Sequence, residues 1–85
     1  MNRRKLLRRL AQGALQNVAF SDLRRLVEGF GFTLSRVSGS HHVFTHPSIA
    51  ELVNLQEVGG QAKPYQIRQF LRLVERYNLT LEDEA

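Results

Sequence analysis

The chain of 85 residues contains no cysteine and no tryptophan, and only two prolines. Without cysteine there is no disulfide framework, no thiolate metal site and no cysteine nucleophile, a pattern that suits a reducing compartment. Long apolar runs are also missing: the longest uninterrupted stretches are two or three residues, so no segment reads as a membrane span. The N-terminus begins with basic residues as a secretion signal does, but Arg8 and Arg9 interrupt the apolar middle that such a signal needs. Aspartate is scarce, with Asp22 the only one ahead of the acidic end. These absences leave one small cytoplasmic domain as the expectation, near the size at which a single core becomes self-sufficient.

Positive charge is what the chain has in excess, and it is unevenly placed. Residues 1–25 carry seven basic groups against Asp22 alone, a net of +6; the other sixty carry five basic and seven acidic groups, a net of −2, giving the overall +4. Three of those acids, Glu82, Asp83 and Glu84, stand at the C-terminal end. A basic body points toward a polyanion, with a merely solubilising surface as the alternative.

Periodicity orders the elements. From Asn2 to about Leu15, Leu6, Leu7, Leu10, Ala11 and Ala14 share one helical face, and Arg3, Arg4, Lys5, Arg8 and Arg9 take the other. Ser21 reads as the N-cap of a second helix, with Leu23, Leu26, Val27 and Phe30 at helical spacing and Gly31 at its C′ position. Residues 32–37 alternate as a strand, Ser38-Gly39-Ser40 turns the chain, and 41–46 return as a second strand that Pro47 ends. Residues 52–56 form a third strand and 59–63 a loop. Pro64 then opens a last helix through Ile67, Phe70, Leu71 and Val74. Three antiparallel strands with helices on one face make a two-layer α+β domain.

All three histidines fall within six residues, at His41, His42 and His46. Histidine, with an ordinary pKa of about 6.5, passes protons in either direction near neutrality. A zinc site fits poorly, because His42 and His46 on one strand lie about 13 Å apart at about 3.3 Å per residue, and ligands must converge on one point. A Ser40–His42 hydrolase lacks a nucleophile elbow and an evident acid to orient the ring. Metal-free RNA cleavage asks for less. The 2′-hydroxyl is the nucleophile, and the protein supplies a proton acceptor, a donor and cations around the phosphate. A histidine beside a Gly-Ser turn, with Arg36 and Lys63 flanking it in sequence, offers these parts; the alternative is that His41 and His42 merely end a hairpin strand. A non-catalytic RNA-binding module and a partner-binding adaptor using the first helix are rival readings.

The run Gly39-Ser40-His41-His42-Val43-Phe44, then His46-Pro47, a short strand, and Lys63-Pro64-Tyr65-Gln66-Ile67-Arg68-Gln69-Phe70-Leu71 closely resembles the HicA family of bacterial toxins, from about Phe20 to Leu79. The resemblance implies a fold like the double-stranded-RNA-binding domain. It further implies an mRNA-cleaving endoribonuclease that uses no metal or other cofactor and a HicB-type antitoxin partner. His42 takes the place of the motif's catalytic histidine and Gly39 that of its glycine. Gly39, Ser40 and His41 are expected as substrate-binding neighbours, and Arg36 and Lys63 join them on the ground that they flank the motif in sequence, not on the resemblance. Residues 1–19 then read as a basic helical extension, 20–79 as the HicA-like domain and 80–85 as an acidic tail. Neither extension belongs to the pattern.

Overall fold

A computed structural model describes residues 2–82. Helices α1 (Arg3–Ala11) and α2 (Phe20–Gly29) precede strands β1 (Thr33–Ser38), β2 (His41–His46), β3 (Ile49–Val58) and β4 (Gln61–Ala62), and α3 (Pro64–Arg76) follows. The strands form one antiparallel sheet in the order β1-β2-β3-β4. The expected α+β layering is present. The sheet, however, has four strands rather than three.

The fourth strand comes from the stretch expected as a loop. Gly59 and Gly60 both take positive φ, 57° and 78°, and join Val58 to its partner Gln61. Positive φ at both central residues is the signature of a type I′ turn, whose twist matches the strands on either side. Two residues of pairing are too few to leave an alternating pattern in sequence. The pairing continues into the chain before α2, where Ala62 N–H donates to the Val18 carbonyl and Phe20 N–H to that of Gly60. Those bonds fix where α2 begins. Ala19, not Ser21, is the N-cap, and Ser21 lies inside the first turn; the backbone pairing replaces a side-chain cap.

The other helix ends follow local chemistry. Asn2 Oδ1 accepts from Lys5 N–H at 2.8 Å and opens α1. α1 ends earlier than the expected Leu15 because Gly13, at φ 89°, leaves the helical region. At the end of α2, Gly31 N–H reaches the Glu28 carbonyl and Phe32 N–H that of Val27, the paired bonds of a Schellman motif. Gly31 is fixed twice over: its φ is 96°, and a Cβ there would stand 3.0 Å from His46 Nε2. α3 ends in the same motif with Asn78 (φ 51°) at C′, through Asn78 N–H to Glu75 and Leu79 N–H to Val74. Beside it, Glu51 of β3 accepts from Arg76 at 2.8 Å and from the Tyr77 hydroxyl. That hydrogen bond to a carboxylate holds the Tyr77 phenol above its ordinary pKa.

One core joins the helices to one sheet face. Leu6 and Leu10 of α1, Leu15, Val18, Phe20, and Leu23, Leu26 and Val27 of α2 pack with Phe44, Val53, Leu55, Ile67 and Phe70. Phe70 meets Phe30 and Phe32 edge-on, at 5.6 and 5.8 Å between centroids. The N-terminal helix is therefore part of the same hydrophobic unit as residues 20–79.

Candidate active site

The hairpin of β1 and β2 places the candidate residues. Ser38 pairs with His41, leaving Gly39-Ser40 as a two-residue loop. Gly39 takes φ 58° and Ser40 is not in the left-handed region, the pattern of a type II′ turn. No atom lies within 4 Å of where a Gly39 Cβ would stand, so the turn conformation, not crowding, calls for glycine. The space beside it is open to a ligand.

Side chains alternate between faces along β2, and Phe44 is fully buried against the helices. His42 and His46 share its face, whereas His41, Val43 and Thr45 point to the uncovered side. His42 is half-buried. Its ring lies 4.7 Å from the Phe20 ring, tilted by 51°, and its cross-strand partners are Leu55, which is buried, and Val37, which is exposed. Phe20 thus backs the ring from the core while the Val37 side stays open to water.

His42 Nδ1 stands 3.1 Å from the Ser40 carbonyl oxygen. A carbonyl only accepts, so the ring proton sits on Nδ1, and Nε2 carries the free lone pair. The same oxygen accepts from Glu57 N–H at 3.0 Å, which ties it to β3. His46 has the opposite arrangement. Its Nδ1 accepts from Ser48 N–H at 3.0 Å, which puts its proton on Nε2, and its ring packs edge-on against Phe32 at 5.0 Å. His46 closes the Pro47-Ser48 turn, whereas His42 presents a proton acceptor. Nitrogen-resolved NMR at a pH where both rings are neutral is expected to show His42 as the Nδ1–H tautomer and His46 as the Nε2–H tautomer. Identical tautomers would contradict these backbone contacts.

The expected neighbours divide between faces. A register shift at Ser35 sets two β1 residues against one in β2: Leu34 pairs with Phe44, but Arg36 pairs with Val43. In an unbroken strand Arg36 would share the face of Leu34 and His42; the bulge turns it to the uncovered side. His41 is also there, opposite Ser38 and Gln56. Arg36 and His41 are therefore not gathered around His42. Lys63 is the N-cap of α3, directly after the residue that pairs with Glu57, and its Nζ lies 5.8 Å from the Tyr65 ring. It belongs to the same end of the sheet as the Ser40 carbonyl. Arg68 is exposed one turn into α3. Gln66, the buried polar residue there, accepts from Gln56 N–H at 2.7 Å and fixes α3 on β3.

The sequence pattern marked His42 but not Phe20 behind it or the Ser40 carbonyl that sets its tautomer. Phe20 reads as an ordinary core residue, and a backbone oxygen has no sequence signature. Among the described residues no group of three or more His, Asp or Glu side chains is placed to share a metal ion. No helix among them is long and apolar enough to cross a membrane.

Three helices packed on one face of a four-stranded antiparallel sheet make an α+β fold consistent with that of the double-stranded-RNA-binding domain, with a histidine at the mouth of its first hairpin. The comparison with protein families is specific: residues 20–75, about two-thirds of the chain, match the family described as HicA toxin of bacterial toxin–antitoxin. The chain belongs to the HicA toxin family and is on that ground a toxin of a toxin–antitoxin system. Members of this family are generally mRNA-cleaving toxins. No curated protein and no solved structure gave a match. The matched span opens at Phe20, the residue that backs His42, and leaves α1 outside.

Proposed function

We propose that the chain is an endoribonuclease toxin that cleaves mRNA by metal-independent proton transfer at His42. The observation that carries this reading is the contact of His42 Nδ1 with the Ser40 carbonyl, which leaves Nε2 as a base at the open end of the hairpin. Nε2 takes the proton of a ribose 2′-hydroxyl, and the freed oxygen attacks the adjacent phosphorus. The bond to the 5′-oxygen of the next nucleotide breaks, and that oxygen takes up a proton from the imidazolium or from water. The products are a 2′,3′-cyclic phosphate and a 5′-hydroxyl. The Ser40 carbonyl, held by Glu57 N–H, also favours the imidazolium that forms, because Nδ1–H remains its donor.

Cationic support comes from Lys63, at the end of the sheet where the hairpin turns, with Arg68 one turn into α3. Gly39 and Ser40 lie beside the approach, where the absent side chain lets an RNA backbone come close. In this reading Arg36 and His41, on the other face, hold a flanking stretch of RNA rather than the scissile phosphate. The toxin acts on mRNA in the cytoplasm and is silenced by an acidic HicB-type antitoxin, since a basic surface calls for a partner of opposite charge.

A labelled transcript incubated with the purified chain in EDTA separates this reading from that of an RNA-binding module. The expected result is progressive shortening. A transcript bound but intact after hours would leave recognition without chemistry.

A further inference from the structure

α1 carries two stripes. Leu6 and Leu10 enter the core, while Arg4, Leu7, Arg8 and Ala11, at i, i+3, i+4 and i+7, form a second stripe along the outer side. Two clefts lie along that stripe. One, of about 350 Å³, is lined by these four residues; the other, of about 390 Å³, runs from Leu7 and Ala11 to Leu71, Val74 and Glu75 of α3. The two clefts adjoin at Leu7 and Ala11: the first lies along α1 alone, and the second lies between α1 and α3. The groove between the helices has an aliphatic floor, and its α1 rim is cationic.

We propose that this groove is the docking site for an acidic amphipathic helix of the neutralising protein, an inference that rests on the antitoxin reading above. The floor and the rim together select the occupant. An RNA strand offers phosphate for Arg8 but no aliphatic surface for Leu7, Leu71 and Val74. A second copy of this chain would bring the same surface, in which Arg4 and Arg8 outnumber Glu75, and a net like charge across an interface opposes docking. Arg8 is exposed with no ion-pair partner among the described residues, and Lys5 beside it likewise. A helix with aliphatic residues on one face and carboxylates flanking them satisfies both features. The groove shares no residue with the surroundings of His42, so this contact anchors the partner without touching the residue that transfers the proton. It is built half from α1, which lies outside the residues that match the family.

The test uses the full chain and the protein encoded by the adjacent reading frame, purified together. In the wild-type complex, amide hydrogen exchange is expected to slow at residues 4–11 and 71–75 relative to the free chain. Leu7→Asp and Arg8→Glu are each expected to weaken the complex by about tenfold or more, while the free variants cleave RNA at the parental rate. If Leu7→Asp fails to fold by circular dichroism, Arg8→Glu and the exchange map decide. Unchanged affinity in the folded variants, protection confined to the hairpin end, weakened RNA binding by Arg8→Glu, or a dimer of the chain that Leu7→Asp dissociates would each overturn the docking site and leave the nuclease reading standing. Absence of any complex with the wild-type chain would overturn the docking site and the antitoxin reading together.

Discussion

His42→Ala is expected to lower RNA cleavage by about 10²-fold or more while the chain stays folded. Positioned acid–base groups contribute about 10²–10⁴-fold to such reactions. The side chain is half-buried and its fixed partner is a backbone carbonyl, so its removal strands no buried polar side chain. His46→Ala is the matched control. It lies on the same face but uses Nδ1 to hold Ser48 N–H and its ring to pack on Phe32. Its loss is expected to cost about 1 kcal/mol of stability, the worth of an ordinary hydrogen bond, with cleavage retained. Growth arrest on expression and gel-based cleavage of a transcript read the first effect, and urea unfolding reads the second. Equal cleavage by His42→Ala and the parent would remove the assignment.

The second large effect concerns α1. Its basic charge suggests a detachable RNA-binding arm, but Leu6 and Leu10 are 1% and 2% exposed within the common core. Replacing Leu10 by Ala is expected to cost about 2–5 kcal/mol, against a total of about 4–13 kcal/mol for a chain this long at typical stability per residue. Deleting residues 2–16, which also removes the buried Leu15, is therefore expected to abolish cooperative unfolding rather than merely weaken RNA binding. Thermal melts followed by circular dichroism measure this. A truncated chain that melts cooperatively near the parental temperature would show that α1 is dispensable to the core.

These contrasts show where sequence speaks plainly and where it does not. Element order, the Gly31 helix stop, Pro64 at the start of α3 and the Gly39-Ser40 turn were legible, because each depends on backbone preferences of the residues themselves. β4 was not, since its two residues are held by pairing with β3 and with the segment before α2. The N-cap at Ala19 is hidden for the same reason: backbone partners distant in sequence replace the side-chain cap that Ser21 offers. The site divides in the same way. His42 stands out as a candidate by its motif, and Lys63 and Arg36 only as basic residues flanking it in sequence. The face of Arg36 depended on one bulge at Ser35, which sequence alternation cannot register. The tautomer of His42 depends on a carbonyl oxygen whose place is set by the fold.

The chemistry attributed to His42 requires the 2′-oxygen of RNA to be the nucleophile, and the ends of the cleaved strand record which oxygen attacked. Mapping the termini of a transcript cut by the wild-type chain in EDTA is therefore the most direct test. The account predicts a 2′,3′-cyclic phosphate (or the 2′- or 3′-monophosphate from its hydrolysis) on one fragment and a 5′-hydroxyl on the other, with no cut where a single 2′-deoxy nucleotide replaces the one 5′ to the scissile phosphate. Fragments ending in 5′-phosphate and 3′-hydroxyl, or cleavage undiminished at the deoxy position, would contradict it.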